Sequence, residues 1–255
     1  MGERRLAPAV VTTIYVASIA LFVLLWQVAS ASFSLPRLFP GPARTASTFV
    51  ELALSGTLIS DAQASLLRIL AGLVIGTGIG VLAGLLMGTS RVVHAILDPF
   101  VNFFRFLSGI AWLGMATLWL GLGEAPKIAL VAYVAIFPVA LNTYAGYRAI
   151  PLNRLRAARA MGATPAQIFR LVALPSVLPF VLLGLRVAVQ NAFLTVVAAE
   201  LIAATEGLGF MIQSARLNLA VDVMFAGIFT LAALGFAADR LISKASSVLV
   251  KYRLD

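Results

Sequence analysis

Asp98, Asn102 and Arg105 recur at i, i+4 and i+7, which places them on one helical face, and Arg186, Gln190, Asn191 and Glu200 punctuate a second apolar run. At bilayer depth a charge costs at least about 2.5–3.5 kcal/mol on insertion scales, so each such group needs a partner or water. Two readings follow. One is a hydrated path in which Arg105 and Arg186 favour anions and Gln190, Asn191 and Glu200 add polar lining. The other is pairing between helices, or a position of Asp98 and Arg186 near an interface.

Bond chemistry finds little support in the same inventory. His94 is the only histidine and is expected in a short loop beside Arg91, as a solvated interfacial ring. Without cysteine there are no disulfides, thiolate metal sites or thiol nucleophiles. Neither a G-x-x-x-x-G-K-[ST] phosphate loop nor H-E-x-x-H occurs, so no catalytic residue and no metal ligand is assigned. The Gly-Leu-Gly triplets at Gly121–Gly123 and Gly207–Gly209 lack a strand–turn–helix setting and are expected in external turns. Asp98, Asp222 and Asp239 are expected at helix ends, which leaves no facing pair for an intramembrane aspartyl protease.

The elements that carry these residues follow from composition. Of 255 residues 61% are hydrophobic and 11% charged, a balance that excludes an ordinary soluble domain and predicts an all-α membrane protein. The net charge of +9 is scattered between apolar runs rather than gathered with aromatics on one face, so no nucleic-acid partner is expected; the bilayer is. Windows of about 20 apolar residues predict six transmembrane helices. They lie near Ala9–Ala29, Leu66–Met87, Ala95–Leu118, Ala125–Tyr147, Val177–Ala203 and Val221–Ile242. With both termini cytoplasmic, Arg4, Arg5, Arg91, Arg148, Arg154, Arg156, Arg159, Arg170, Arg240, Lys244, Lys251 and Arg253 fall inside, against Arg37, Arg44, Lys127 and Arg216 outside. That is a positive-inside bias. Arg68, Arg105 and Arg186 remain near or within the spans.

Arg4 and Arg5 precede an apolar run ending at Ala29-Ser30-Ala31, a small-residue pattern of the kind signal peptidase cuts. The run is longer than a signal core, and its removal would leave an odd number of spans, so a retained helix is expected. In the second span Gly72, Gly76, Gly80, Gly84 and Gly88 line one face at four-residue spacing. Such a ladder lets a neighbouring backbone approach closely; a hinge or a pore-lining face is the alternative.

Between the fourth and fifth spans lies a basic insert, NRLRAARAMGATPAQIFRLVALPSVLP, from Asn153 to Pro179. Arg154, Arg156 and Arg159 flank Ala157, Ala158 and Ala160, combining charge with close backbone approach. Gly162 is expected to cap the first short helix with positive φ, and Thr164 to cap a second with Pro165 at its first position. Ile168, Phe169, Leu171 and Val172 give the second helix an apolar side, and Pro175 is expected to end it. Two helices at a glycine corner suit a cleft on another protein; a basic amphipathic loop lying on the membrane surface is the other reading.

Ala157-Ala158, three residues, Gly162, nine residues, then Val172-x-Leu174-Pro175 resembles the EAA loop of permease subunits in bacterial ATP-binding-cassette importers. The stretches ILDPFVNFFRFLSGIAWLGMATLWLGLGEAPKI and VVAAELIAATEGLGFMIQSARLNLAVDVMFAGI are similar to those of the nitrate, sulfonate and taurine group, taurine permeases above all. The resemblance implies a type I importer permease fold, one permease domain over residues 1–255 with a cytoplasmic coupling loop at 153–175, and the bacterial inner membrane as location. It implies a homodimer, two cytoplasmic ATPase subunits that hold ATP and magnesium, and a periplasmic or lipid-anchored binding protein. The permease itself would bind no cofactor and catalyse no reaction. Its cargo would be a small anion, taurine or another alkanesulfonate first, with nitrate, bicarbonate or aromatic acids behind; an autonomous carrier or channel is the rival class. Within the motif Ala157, Ala158, Gly162, Leu174 and Pro175 match, and Val172 stands where Ile is usual. Arg156 replaces the acidic residue that names the loop, and Leu107-Ser108-Gly109-Ile110 replaces prolines common before Ala111-Trp112.

Overall fold

The computed structural model describes residues 8–32 and 38–251, and among these the backbone is helical with no strand. Arg4, Arg5, Arg37 and Arg253 lie outside the described residues. In chain order the helices are α1 (Pro8–Ser32), α2 (Pro42–Leu54), α3 (Thr57–Thr89), α4 (Arg91–Phe104), α5 (Leu113–Leu120) and α6 (Glu124–Arg148). There follow α7 (Leu152–Ala160), α8 (Pro165–Ile168), α9 (Leu174–Ala203), α10 (Leu208–Leu217) and α11 (Val221–Lys251). A 3-10 turn at Gly109–Trp112 precedes α5, and a π-helical turn at Phe169–Ala173 precedes α9. Among the described residues five helices are long and apolar enough to cross a bilayer, or six crossings if the bent pair Arg91–Phe104 and Gly109–Leu120 counts as one span.

The predicted third span is the exception. Instead of one helix from Ala95 to Leu118, α4 stops at Phe104, and the segment Gly109–Leu120 departs at 90°. At about 1.5 Å per residue the 14 residues of α4 reach only about 21 Å, short of a bilayer's hydrocarbon core of about 30 Å. Hydropathy could not expose the break, because Phe106 and Leu107 keep the window apolar across it. Two other spans are longer than their apolar windows: α3 begins at Thr57 and α11 continues to Lys251. Because α4 begins at Arg91 and α11 runs on past residue 242, Asp98 and Asp239 lie inside helices rather than at helix ends.

The chain forms two compact units. One comprises residues 1–59 and 211–229. Within it Trp26 of α1 stacks on Phe225 at 5.6 Å between ring centroids, and its Nε1–H donates to the Pro40 carbonyl at 3.1 Å. Arg44 Nε donates to Asp222 Oδ2 at 3.0 Å. Most of the large apolar side chains of α1 are exposed, Ile19 and Phe22 among them, as expected of a helix sheathed by lipid.

The second unit, residues 60–210 and 230–255, is built around α6. Val131, Ala135 and Val139 of α6 are fully buried against Ile69 and Leu73 of α3 and against Ala188, Ala192 and Val196 of α9. These are small or slim side chains because association in lipid gains little from hydrophobicity and must come from close packing. The glycine ladder faces α6 along its whole length. A Cβ on Gly76 would stand 2.4 Å from the Ala132 carbonyl oxygen, and one on Gly84 would stand 2.5 Å from that of Ala140. Gly72, Gly80 and Gly88 would meet Val131, Ile136 and Tyr147 within 2.7 Å. Gly184 of α9 approaches α6 from the other side, 2.8 Å from the Pro138 carbonyl by the same measure.

Candidate coupling loop, ionic cluster and mid-depth cavity

At the end of the second unit where α3 and α6 finish, the basic insert is folded rather than loose. Arg148 closes α6, and Pro151 redirects the chain into α7. Gly162 takes φ +80°, and a Cβ there would meet nothing within 4 Å, so the residue serves backbone conformation alone. Thr164 Oγ1 accepts from the Gln167 N–H at 3.3 Å while the Thr164 N–H donates to Gln167 Oε1 at 2.8 Å. This is a reciprocal cap with Pro165 in the first turn.

Beyond this point the expected geometry changes. Pro175 does not end the second helix: the chain runs through the π-helical turn Phe169–Ala173 straight into α9, forming a continuous helical segment Pro165–Ala203. A proline inside an α-helix clashes with the carbonyl four residues back, and the wider π turn immediately before Pro175 relieves that crowding. Ile150, Ala173 and Val177 are buried together, with Leu85, Tyr147, Leu155 and Phe169 packed on them, so the loop is anchored to the ends of α3 and α6. Ala158 is buried; Ala157, Arg154, Arg156, Arg159 and Arg170 are exposed, and Met161 at the tip is 81% exposed. Ile168 and Val172 are half-buried, and Leu174 and Pro175 begin α9 above a cavity of about 530 Å³ lined by Arg154, Val172 and Pro175.

The opposite end of the same unit holds a network that the spacing of residues does not reveal. Arg68 is 2% exposed and Glu200 1%. Arg68 Nη1 donates to Glu200 Oε1 at 2.6 Å and to the Glu206 carbonyl at 2.8 Å, while Nη2 donates to Glu124 Oε1 at 3.0 Å and Nε pairs with the other Glu124 oxygen. Lys127 is buried and donates to Glu124 Oε1 at 2.9 Å. Ser65 Oγ lies 2.8 Å from both Glu200 oxygens and accepts from the Leu208 N–H. The Gly209 N–H donates to Glu200 Oε2 at 2.9 Å, and the Gly207 N–H to Asp61 Oδ1 at 2.8 Å. Gly207, at φ +116°, leaves room for this: a Cβ there would lie 2.6 Å from Arg68 Nη1. The buried charges are thus paired and hydrogen-bonded, as burial requires.

Between these ends lies a third feature. Arg105, Ser108, Gly109, Tyr133, Val134, Phe137, Pro138 and Asn191 surround a cavity of about 460 Å³ under the break between α4 and the 3-10 turn. The break nests closely on its neighbours, since a Cβ on Gly109 would stand 2.6 Å from Val134 and 3.4 Å from Thr195.

The polar residues read from sequence are therefore distributed over three places. Arg105 and Asn191 share the cavity. Arg186 forms a bidentate pair with Asp239 of α11, 2.8 Å between Nη2 and Oδ2. Glu200 is locked in the ionic cluster, and Gln190 is exposed. Asn102 Nδ2 turns back to the Asp98 carbonyl and carboxylate at 3.0 Å, which satisfies both residues locally. His94 is half-buried and stacks on Tyr144, with Nε2 3.2 Å from the tyrosine oxygen, and is not the solvated ring expected. Among the described residues no group of three or more histidines and carboxylates is arranged to hold a metal.

A glycine-packed bundle of long apolar helices with a folded basic loop at one end defines a multi-pass helical membrane protein. The chain belongs to the binding-protein-dependent transport system inner membrane component family, whose pattern it matches over residues 76–244. It is 40% identical to the taurine transport system permease protein TauC of Escherichia coli K12 over 220 residues, covering 84% of this chain and 80% of that protein. It is 34% identical to the putative aliphatic sulfonates transport permease protein SsuC of Bacillus subtilis 168 over 235 residues, covering 92% and 85%. The fold is shared with a solved structure of the MetNI methionine ABC transporter in an inward-facing conformation. That likeness has a TM-score of 0.62 at 21% identity over 73% of this chain and 93% of the other.

Proposed function

We propose that the chain acts as one permease domain, residues 1–255, of an ATP-driven importer in a bacterial inner membrane, with both termini cytoplasmic. In this reading it pairs with a second copy, and the two coupling loops, 153–175, seat in two cytoplasmic ATPase subunits. A binding protein delivers cargo from outside. ATP closes the ATPase pair, and the docked helices carry that motion into the spans, which exchange inward- for outward-facing states. ATP and magnesium belong to the partner, and the permease breaks no bond.

The observation that carries this reading is the corner of the loop. Gly162 at φ +80° and the reciprocal Thr164–Gln167 cap hold two short helices at a fixed angle, and the buried cluster around Ile150 and Val177 ties them to α3, α6 and α9. A rigid attachment of this kind transmits a push; a slack loop would absorb it. The cargo is a small solute with an anionic head group, taurine or another alkanesulfonate, as the relatives at 40% and 34% identity suggest.

The test is uptake by proteoliposomes containing this permease, its ATPase and its binding protein. ATP-dependent accumulation of labelled taurine, exceeding that of nitrate and bicarbonate, is the expected result. Uptake that proceeds without the ATPase would overturn the importer reading, and preference for nitrate or bicarbonate would overturn the cargo.

A further inference from the structure

We infer that the cavity beneath the α4 break is a transient binding site for the oxyanion head of the transported solute, with Arg105 as its cation and Ser108 and Asn191 as neutral donors. The inference rests on the importer reading above and adds to it a place and a chemistry.

The α6 residues lining the cavity run from Tyr133 to Leu141, the middle of a helix that spans Glu124–Arg148. Asn191 lies midway along α9, Leu174–Ala203. Arg105 caps a helix too short to cross, so the guanidinium is held at bilayer depth, where an unpaired charge is expensive.

Arg105 is the one charged residue in the lining, and its described contact is with the face of the Phe106 ring, 4.7 Å from the centroid. The other arginines near or within the apolar spans are matched: Arg186 by Asp239 and, at the end of the unit, Arg68 by three carboxylates. Asp98, the acid nearest in sequence, is held by Asn102. The Tyr133 hydroxyl donates to the Phe104 carbonyl at 2.7 Å and so buttresses the break instead of serving a ligand. Ser108 and Asn191 remain as the side-chain donors in the lining with no described protein partner, beside a cation that pairs with no carboxylate among the described residues. Guanidinium, hydroxyl and amide together suit the several oxygens of a sulfonate or carboxylate. A passing solute that neutralises Arg105 lowers its own barrier at the depth where the barrier is highest.

The experiment uses the absence of native cysteine. In the reconstituted transporter, Ser108→Cys is reacted with a negatively and a positively charged methanethiosulfonate reagent, with Arg105 present and with Arg105→Gln. Labelled-taurine uptake is measured for Arg105→Gln and Arg105→Lys. Arg105 is expected to make the anionic reagent faster by at least about fivefold, a preference lost in Arg105→Gln and reduced by millimolar taurine. Uptake should fall at least about tenfold in Arg105→Gln and partly recover in Arg105→Lys, with the ATPase still co-purifying. Equal reagent rates in both backgrounds, or undiminished uptake in Arg105→Gln, would overturn the site. If the unmodified transporter imports no taurine while the reagent preference persists, it is the cargo that fails and the anion site stands.

Discussion

Arg68 Nη1 donates to Glu200 Oε1 at 2.6 Å across 132 residues of sequence, with both side chains almost completely buried. The pair ties the start of the second predicted span to the end of the fifth, and through Ser65 and Gly209 it fixes the turn that leads into α10. Burial makes the arrangement costly to disturb from one side. Arg68→Met should leave Glu200 as an uncompensated buried charge and cost about 3–5 kcal/mol. Arg68→Met combined with Glu200→Leu should cost less than the two single changes added. Thermal unfolding in detergent measures both, and a strictly additive double variant would contradict the pairing as the source of the loss.

The glycine ladder supplies its own control. Gly76→Ala places a methyl 2.4 Å from the Ala132 carbonyl oxygen and should destabilise by about 1–3 kcal/mol as α3 is forced from α6. Gly78→Ala, two residues along and with nothing within 4 Å, should be neutral or gain about 0.5–1 kcal/mol of helix propensity. Comparing their melting midpoints separates packing from propensity.

Gly162→Val adds a side chain into open space, so its whole effect comes from φ +80°, a conformation costing a non-glycine residue about 1–2 kcal/mol. The corner should relax, and ATP-driven uptake should drop severalfold while the permease still inserts and assembles. Normal uptake with normal ATPase association would show that the angle is not transmitted.

From residue 149 to residue 175 the chain contains no acid, and Arg154, Arg156, Arg159 and Arg170 are all exposed. An acidic receiving surface is the complement of such a loop. Arg156→Glu, which reinstates the charge usual in the family, should therefore weaken co-purification of this permease's own ATPase, most clearly at low ionic strength. Stronger association would mean that the partner presents a basic surface instead.

Local signals carried much of this structure. Gly162, Thr164 and Pro165 announce a corner because their backbone preferences act within a few residues, and the four-residue glycine period marks one face of α3 whatever surrounds it. Tertiary compensation was not legible. Arg68 reads as a stray charge until Glu124 and Glu200 are brought to it, and Pro175 reads as a stop until the π turn makes room. Hydropathy averages over a window, so a 90° break bridged by Phe106 and Leu107 is invisible to it, and that break is what places Arg105 beside a cavity. Glu200 and Arg186 fit either a path or a pair by residue type, and only the fold supplies their partners, Arg68 and Asp239.

In the importer reading the corner at Gly162 faces the cytoplasm and touches an ATPase. Met161 is 81% exposed at that corner, and Leu122 is 92% exposed just before the other end of α6. Single-cysteine variants Met161→Cys and Leu122→Cys, treated with a membrane-impermeant thiol reagent from either side of the membrane and then with a short cross-linker, test both points at once. Met161→Cys should react only from the cytoplasmic side and cross-link to the ATPase, and Leu122→Cys should react only from outside. Reaction of Met161→Cys from the outer side, or its failure to cross-link in an assembled complex, would contradict the account.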